Sequence, residues 1–402
     1  MNDLLKTTLV LIFIVLLLRR KTSMAAVMPI GALLLGIIYL TPPKIFLSAA
    51  WSGAFSAKSL EMTLILALTM VMENILRTTG MLKRMVSSLS AALPDRRLIM
   101  AAMPAMIGLL PSPGGAVFSA PMVNEAAGEA AIQPEQKALT NYWYRHIWEY
   151  ISPLYPGIIL AAGITGLSTQ TLFLANLPFA LSVVGWGAIF CFRGMGRQNI
   201  PSIGTVRRKE FMSFLIMASP ILLALLLVVL FKVNPAISLG GAVLVLYGAH
   251  RYSPCAIFKN LKESISIKAL LLVTGIMIFQ EVLQVTGALA GISSFFASSG
   301  LPVHLVLILI PFIAGILTGL TVGYVGITFP LLLPLMGGAS ASPGLVALAF
   351  GAGFAGVMLS PVHLCYVLTC EYFQVDIARI YHRLFLPSAL VLAAAIIPLL
   401  IF

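Results

Sequence analysis

The chain has 402 residues, of which 60% are hydrophobic and only 9% charged, with a formal net charge of +12. A mean hydropathy of +1.03 excludes a soluble globular domain and predicts an all-α integral membrane protein. The basic excess sits between apolar spans, where it reads as membrane orientation and not as nucleic-acid binding, and Cys191, Cys255, Cys365 and Cys370 show neither a disulfide framework nor a metal-ligand spacing.

A bilayer core of about 30 Å takes roughly 20 apolar residues per spanning helix, and the sequence offers twelve apolar segments. The first two are 4–18 and 24–41, separated by Arg19-Arg20-Lys21. No small-residue cleavage site follows the first, so it is expected to remain as a span and not to act as a cleaved signal peptide. Span 60–78 comes next, then an amphipathic stretch, 81–95, expected to lie flat at an interface. Leu98–Val123 is apolar throughout but carries Pro111-Ser112-Pro113-Gly114-Gly115 at its middle. Proline removes a backbone donor, and glycine costs about 1 kcal/mol in a helix interior. Irregular backbone at membrane depth survives only inside protein or along a wet cavity. The segment therefore predicts a re-entrant hairpin, 98–123, turning at 111–115. The next span, 139–163, is interrupted by Ser152-Pro153-Leu154-Tyr155-Pro156-Gly157, and 170–194 closes the first half.

A linker at 195–210 leads to spans 211–231, 236–250 and 268–287 and a second amphipathic stretch, 288–300. Hairpin 303–335 follows, with Thr318-Gly319-Leu320-Thr321-Val322-Gly323 at its tip. A second interrupted span, 344–370, breaks at Ser360-Pro361-Val362-His363, and 381–401 ends the chain. The halves match in order: Glu73-Asn74-Ile75-Leu76 with Gln280-Glu281-Val282-Leu283, Pro104 and Gly108 with Pro311 and Gly315, Ser152-Pro153 with Ser360-Pro361, and Pro178 with Pro387. This predicts a duplication, 1–194 and 211–402. With each hairpin counted as no crossing, there are ten crossings, and 21 of the 25 Lys and Arg residues fall on one side. By the positive-inside rule, both termini face outward and the linker is cytoplasmic, in the plasma membrane of a prokaryote. Five crossings per half is odd, so the repeats are inverted, and the hairpins enter from opposite faces. Interrupted segments in corresponding halves point to a transport site.

Helix N-termini at such interruptions attract anions, and free carbonyls at C-termini attract cations. The candidate binding residues are Ser112, Pro113, Gly114 and Gly115 at the first tip and Ser152, Pro153 and Tyr155 at the first break. Thr318, Gly319, Thr321 and Gly323 at the second tip and Ser360, Pro361 and His363 at the second break complete the set. The glycines serve either close approach of a ligand or close helix packing. An ionisable group at mid-bilayer costs at least ~2.5 kcal/mol unless paired or hydrated. Glu281, Glu149 and His146 are thus candidates for carrying a coupling proton or cation, or else structural hydrogen-bond anchors. No Walker A, HExxH or Gly-x-Ser-x-Gly pattern occurs, so neither an enzyme, an ATP-driven pump, a metal nor an organic cofactor is expected.

At these hairpin-plus-broken-helix units the chain resembles the ion transporter superfamily, which includes divalent-anion/sodium symporters, gluconate and arsenite permeases and some sodium/proton antiporters. Within it, the chain is most similar to a branch known only as a domain of unknown function. The resemblance spans nearly the whole chain, in architecture more than in residue identity. It implies a substrate site between the hairpin tips and the two breaks, a scaffold that forms a homodimer, and elevator-type movement. Dicarboxylate members carry Ser-Asn-Thr at each tip. Here the asparagine is missing, leaving Ser112, Thr318 and Thr321 for the hydroxyl role. The expected function is a secondary active transporter of a small, anionic, carboxylate-like solute, coupled to Na+ or H+. A cation/proton antiporter is the alternative, with a membrane-embedded enzyme or lipid translocase behind both.

Overall fold

The computed structural model of the chain describes residues 3–20, 22–109, 111, 115–128, 132–196, 204–288 and 300–402. All regular structure among them is helical. Sequence signals explain where the helices begin. Pro43, Pro134, Pro156, Pro235, Pro254 and Pro343 each open one at a position where the missing N–H costs nothing. Ser56, Asp95, Ser168, Asn234, Ser266 and Asp376 cap helices by accepting a backbone N–H. Five stretches are long and apolar enough to cross a bilayer: Pro43–Thr78, Thr169–Phe190, Gly204–Val229, Ile267–Val285 and Ile377–Ile401. Large apolar side chains such as Leu181, Leu223, Leu244 and Leu400 stand exposed on the outside, while Arg145, His146 and Asn141 are buried. That inside-out distribution suits a lipid solvent.

Two helices lie outside the expected spans. Pro43–Phe55, the first part of the Pro43–Thr78 stretch, meets Ala57–Thr78 at an extended Ser56, and Pro254–Ser264 is amphipathic. The 81–95 stretch forms Met81–Ala92, which packs along Gly204–Val229, with Ser88 Oγ 3.0 Å from Ser213 Oγ. Met85 and Val86 on this helix are buried, while Lys83, Arg84 and Ser87 stand exposed. Gly204–Val229 also begins seven residues before the expected 211. The middle of the linker (197–203) and nearly all of the second amphipathic stretch (289–299) lie outside the described residues. The order of helices recurs along the chain. Pro43, Ala57, Arg96, Ala116, Pro134, Pro156 and Thr169 open helices, and so do Pro254, Ile267, Val303, Thr321, Pro343, Leu364 and Ile377, each about 205–211 residues later.

Both interrupted segments are helical hairpins. In the first, Arg96–Gly108 and Ala116–Ala127 pack together, and Arg96 Nη1 donates to Ala127 O at 2.9 Å. That bond joins the start of one leg to the end of the other, so the chain returns to the level it left. In the second, Val303–Thr318 and Thr321–Leu332 both run back along Pro343–Met358 from a tip at Gly319. Gly319 lies against Ser360 and His363, Gly315 against Gly353, and Tyr324 donates to Phe350 O at 2.9 Å. Glycines make this contact close: a Cβ on Gly356 would stand 2.1 Å from Phe312 O, and one on Gly315 2.1 Å from Gly353 O.

Candidate functional site

The two spans expected to break do so. Pro134–Arg145 ends at His146, and apart from one 3-10 turn (Trp148–Tyr150) the chain is irregular until Pro156 starts the next helix. Pro343–Met358 ends before Ser360-Pro361, and Leu364 starts the following helix. Each break leaves helix-end backbone groups open, and the hairpin tips leave others. The two sets answer each other. Tyr155 Oη donates to Gly108 O, and Trp148 Nε1 donates to Ala105 O at 2.9 Å. In the second half, Ser360 Oγ donates to Ile316 O at 2.6 Å and His363 Nδ1 lies 2.7 Å from Gly319 O. Gly319 takes φ +62°, the left-handed helix stop that glycine adopts freely. Tyr155 and His363 thus hold equivalent stations: each is the third residue after its break serine, and each grips a main-chain carbonyl at the end of its hairpin's first leg.

The halves then meet at the centre. His146 Nε2 stands 3.0 Å from His363 Nε2, and Thr321 Oγ1 donates to Glu149 Oε2 at 3.0 Å. Tyr142 Oη donates to Met358 O at 2.9 Å. Asn141 bonds Ser119, the Ala116 carbonyl and Thr369, tying the first hairpin to the helix after the second break. Beside these contacts lies a cavity of about 230 Å³ whose wall includes Pro111, Arg145, Glu149, Tyr155, Thr321 and His363. Three helices, Pro156–Thr165, Thr321–Leu332 and Leu364–Phe373, begin in that wall. Each N-terminus carries roughly half a positive charge and unpaired N–H groups. Arg145, 1% exposed and hydrogen-bonded to Tyr155, adds a full charge, with Glu149 also in the wall. The arrangement favours an anion whose carboxylate-sized head reaches Arg145 and the helix starts together.

Of the residues expected at the site, Tyr155, Thr321, His363 and Glu149 line this cavity, and His146 sits directly behind His363. Ser152 and Ser360 are fully buried and satisfy backbone: Ser152 Oγ accepts from Leu154 N, and Ser360 Oγ from Val362 N. Pro361 is exposed, and it, Pro153, Thr318, Gly319 and Gly323 shape the breaks and the tip without lining the cavity. Gly115 is buried next to the start of Ala116–Ala127; Ser112, Pro113 and Gly114 lie outside the described residues. Glu281 stands away from the cavity, and its charge is felt by Lys58. Two wall residues stood outside the candidate set. Arg145 forms an i, i+4 pair with Glu149 just ahead of the break, a spacing that suggests a polar lining of the vestibule, and the structure buries it. Cys365 reads as packing, yet its Sγ, His146 and His363 offer three ligand atoms that all lie within 4.8 Å of one another.

A family described as "Protein of unknown function (DUF401)" matches residues 4–402. No curated protein matches the chain. Among solved structures, the YdaH transporter of Alcanivorax borkumensis, whose crystal structure is described as revealing an unusual topology, is similar with a TM-score of 0.60. The likeness covers 88% of this chain and 87% of that one at 12% sequence identity, which makes it a likeness of fold.

Proposed function

We propose that this chain, which belongs to the DUF401 family of proteins of unknown function, is a secondary active transporter that moves a small carboxylate-bearing anion on a Na+ or H+ gradient. One observation carries the reading. Three helix N-termini and a buried arginine converge on a cavity of about 230 Å³, formed where two helical hairpins meet two broken helices. A buried cationic focus of this kind is costly without an anion to occupy it, and an interrupted-helix site shared by two halves is how transporters build one. The solved transporter of similar fold adds support at the level of architecture.

Our reading extends to topology. The recurring helix order supports two repeats, and the Lys and Arg asymmetry supports their inversion, with both hairpins re-entrant and both termini outside the plasma membrane of a prokaryote. In this view the hairpins and broken helices move together, elevator fashion, past a scaffold that dimerises, as the resemblance to the ion transporter superfamily implies. The direct test is uptake by proteoliposomes of a panel of labelled mono- and dicarboxylates under imposed Na+ or proton gradients. Accumulation of one of them above equilibrium, reduced at least about tenfold in Arg145→Gln at solute concentrations below the wild-type KM, supports the proposal. Gradient-independent equilibration, or full uptake by Arg145→Gln, defeats it.

A further inference from the structure

The two histidines that join the breaks pose a chemical problem. His146 Nδ1 lies 2.5 Å from Tyr142 O, and His363 Nδ1 lies 2.7 Å from Gly319 O. A carbonyl oxygen only accepts, so each Nδ1 carries its ring's proton, and each Nε2 is left with a lone pair. Those two lone pairs face each other across 3.0 Å in a buried site. Neutral rings in that geometry repel, and something electropositive must lie against both.

We propose that His146, His363, Cys365 and Glu149 form a site for one divalent transition-metal ion of the zinc class. The ligand atoms of His146, His363 and Cys365 all lie within 4.8 Å of one another, and Glu149 Oε1 is 3.8 Å from His146 Nε2. Together they make a set of two nitrogens, one sulfur and one oxygen, the donor chemistry that zinc takes in four-coordinate sites. Two nitrogens on one tetrahedral zinc ion stand about 3.3 Å apart at its usual bond lengths, close to the spacing here. The surroundings fit as well. Metal-binding histidines hold their other ring nitrogen on a carbonyl or carboxylate, which both rings do, and a ligating carboxylate is itself hydrogen-bonded, as Glu149 is by Thr321. The Cys365 thiolate and the Glu149 carboxylate balance the ion's two charges. The ligands come from both breaks, so the ion would staple the two halves of the chain at their centre. No sequence spacing reveals such a set, because His146 and His363 stand 217 positions apart.

This inference is independent of the transport proposal, because the measurement uses purified protein without solute. Tag-free, full-length protein, stripped with a chelator in detergent, is loaded with Co2+ or Zn2+, desalted and assayed for bound metal and for its cobalt absorption spectrum. The expected result is close to one ion per chain, with a thiolate-to-cobalt charge-transfer band. Cys365→Ser removes that band, whereas Cys370→Ser, at a buried cysteine outside the cluster, keeps it. Replacing both histidines by glutamine weakens binding at least tenfold. Wild-type protein that emerges metal-free overturns the proposal, and so does a bound cobalt ion without the band or a band that survives Cys365→Ser. The wild-type arm decides the matter even if a variant fails to fold.

Discussion

Gly157→Ala probes the contact between the first break and the second hairpin tip. Gly157 is the second residue of Pro156–Thr165, and a Cβ there would lie 2.4 Å from Thr321 Cγ2. To reach even 3.0 Å, the closest approach real Cβ atoms make, the Thr321 side chain or the two elements must shift by at least about 0.6 Å. Overpacking of this kind costs about 1–3 kcal/mol. Alanine returns up to about 1 kcal/mol over glycine within a helix, so a net loss of up to about 2 kcal/mol is expected. The displaced threonine also carries the 3.0 Å bond to Glu149 Oε2. Hydrogen bonds to charged groups are worth about 1.5–3 kcal/mol, and each 1.4 kcal/mol is about tenfold, so uptake should fall about tenfold or more. The companion change Thr321→Ser removes the offending methyl and keeps the hydroxyl. The double variant should recover to within about 0.5 kcal/mol of wild type, giving a coupling energy of about 0.5–3 kcal/mol. Thermal midpoints of the purified protein and proteoliposome uptake, measured on all four forms, complete the cycle. If Gly157→Ala melts and transports like wild type, or Thr321→Ser brings no rescue, the tip does not rest on the break as described.

Arg145→Gln should raise the solute KM about 10- to 100-fold, the loss of one charge-assisted contact of about 1.5–3 kcal/mol, while Arg145→Lys recovers part of it; concentration-dependent uptake gives the answer. Gly356→Ala drives a Cβ to 2.1 Å from Phe312 O and should destabilise by about 1–3 kcal/mol. Gly241→Ala meets open space and should be neutral or slightly stabilising, and equal melting of the two variants in detergent would contradict the packing of the second hairpin. With the exposed Cys255 replaced by serine, a cysteine at Asn124 should react with an impermeant maleimide only from the cytoplasmic side. Labelling from outside would abolish the re-entrant reading of the first hairpin.

Much of the architecture was legible in the residues because membrane depth leaves few options for backbone. Clustered proline and glycine inside an apolar run disfavour a continuous helix, which marked Pro111–Gly115, Ser152–Gly157, Thr318–Gly323 and Ser360–His363 as interruptions. Single prolines such as Pro104, Pro178 and Pro311 stay inside helices, and the first break opens at His146, earlier than the expected Ser152, while the break at 359–363 and the turn at Gly319 fall where expected. The short helices Pro43–Phe55 and Pro254–Ser264 went unseen because neither alone is long enough to register as a span. What local pattern could not determine is which interruptions touch. Arg145 reads in sequence as a cation paired i, i+4 with Glu149 along the inner vestibule, and only long-range packing buries it. The facing of His146 and His363, the bond from Thr321 to Glu149 and the nearness of Cys365 all join residues from opposite halves. Each such contact depends on how hairpins dock against breaks in three dimensions, a distance no periodicity encodes. Composition and chain stiffness thus determined that this protein lives in a membrane with interrupted helices; tertiary packing alone decided which side chains the interruptions bring face to face.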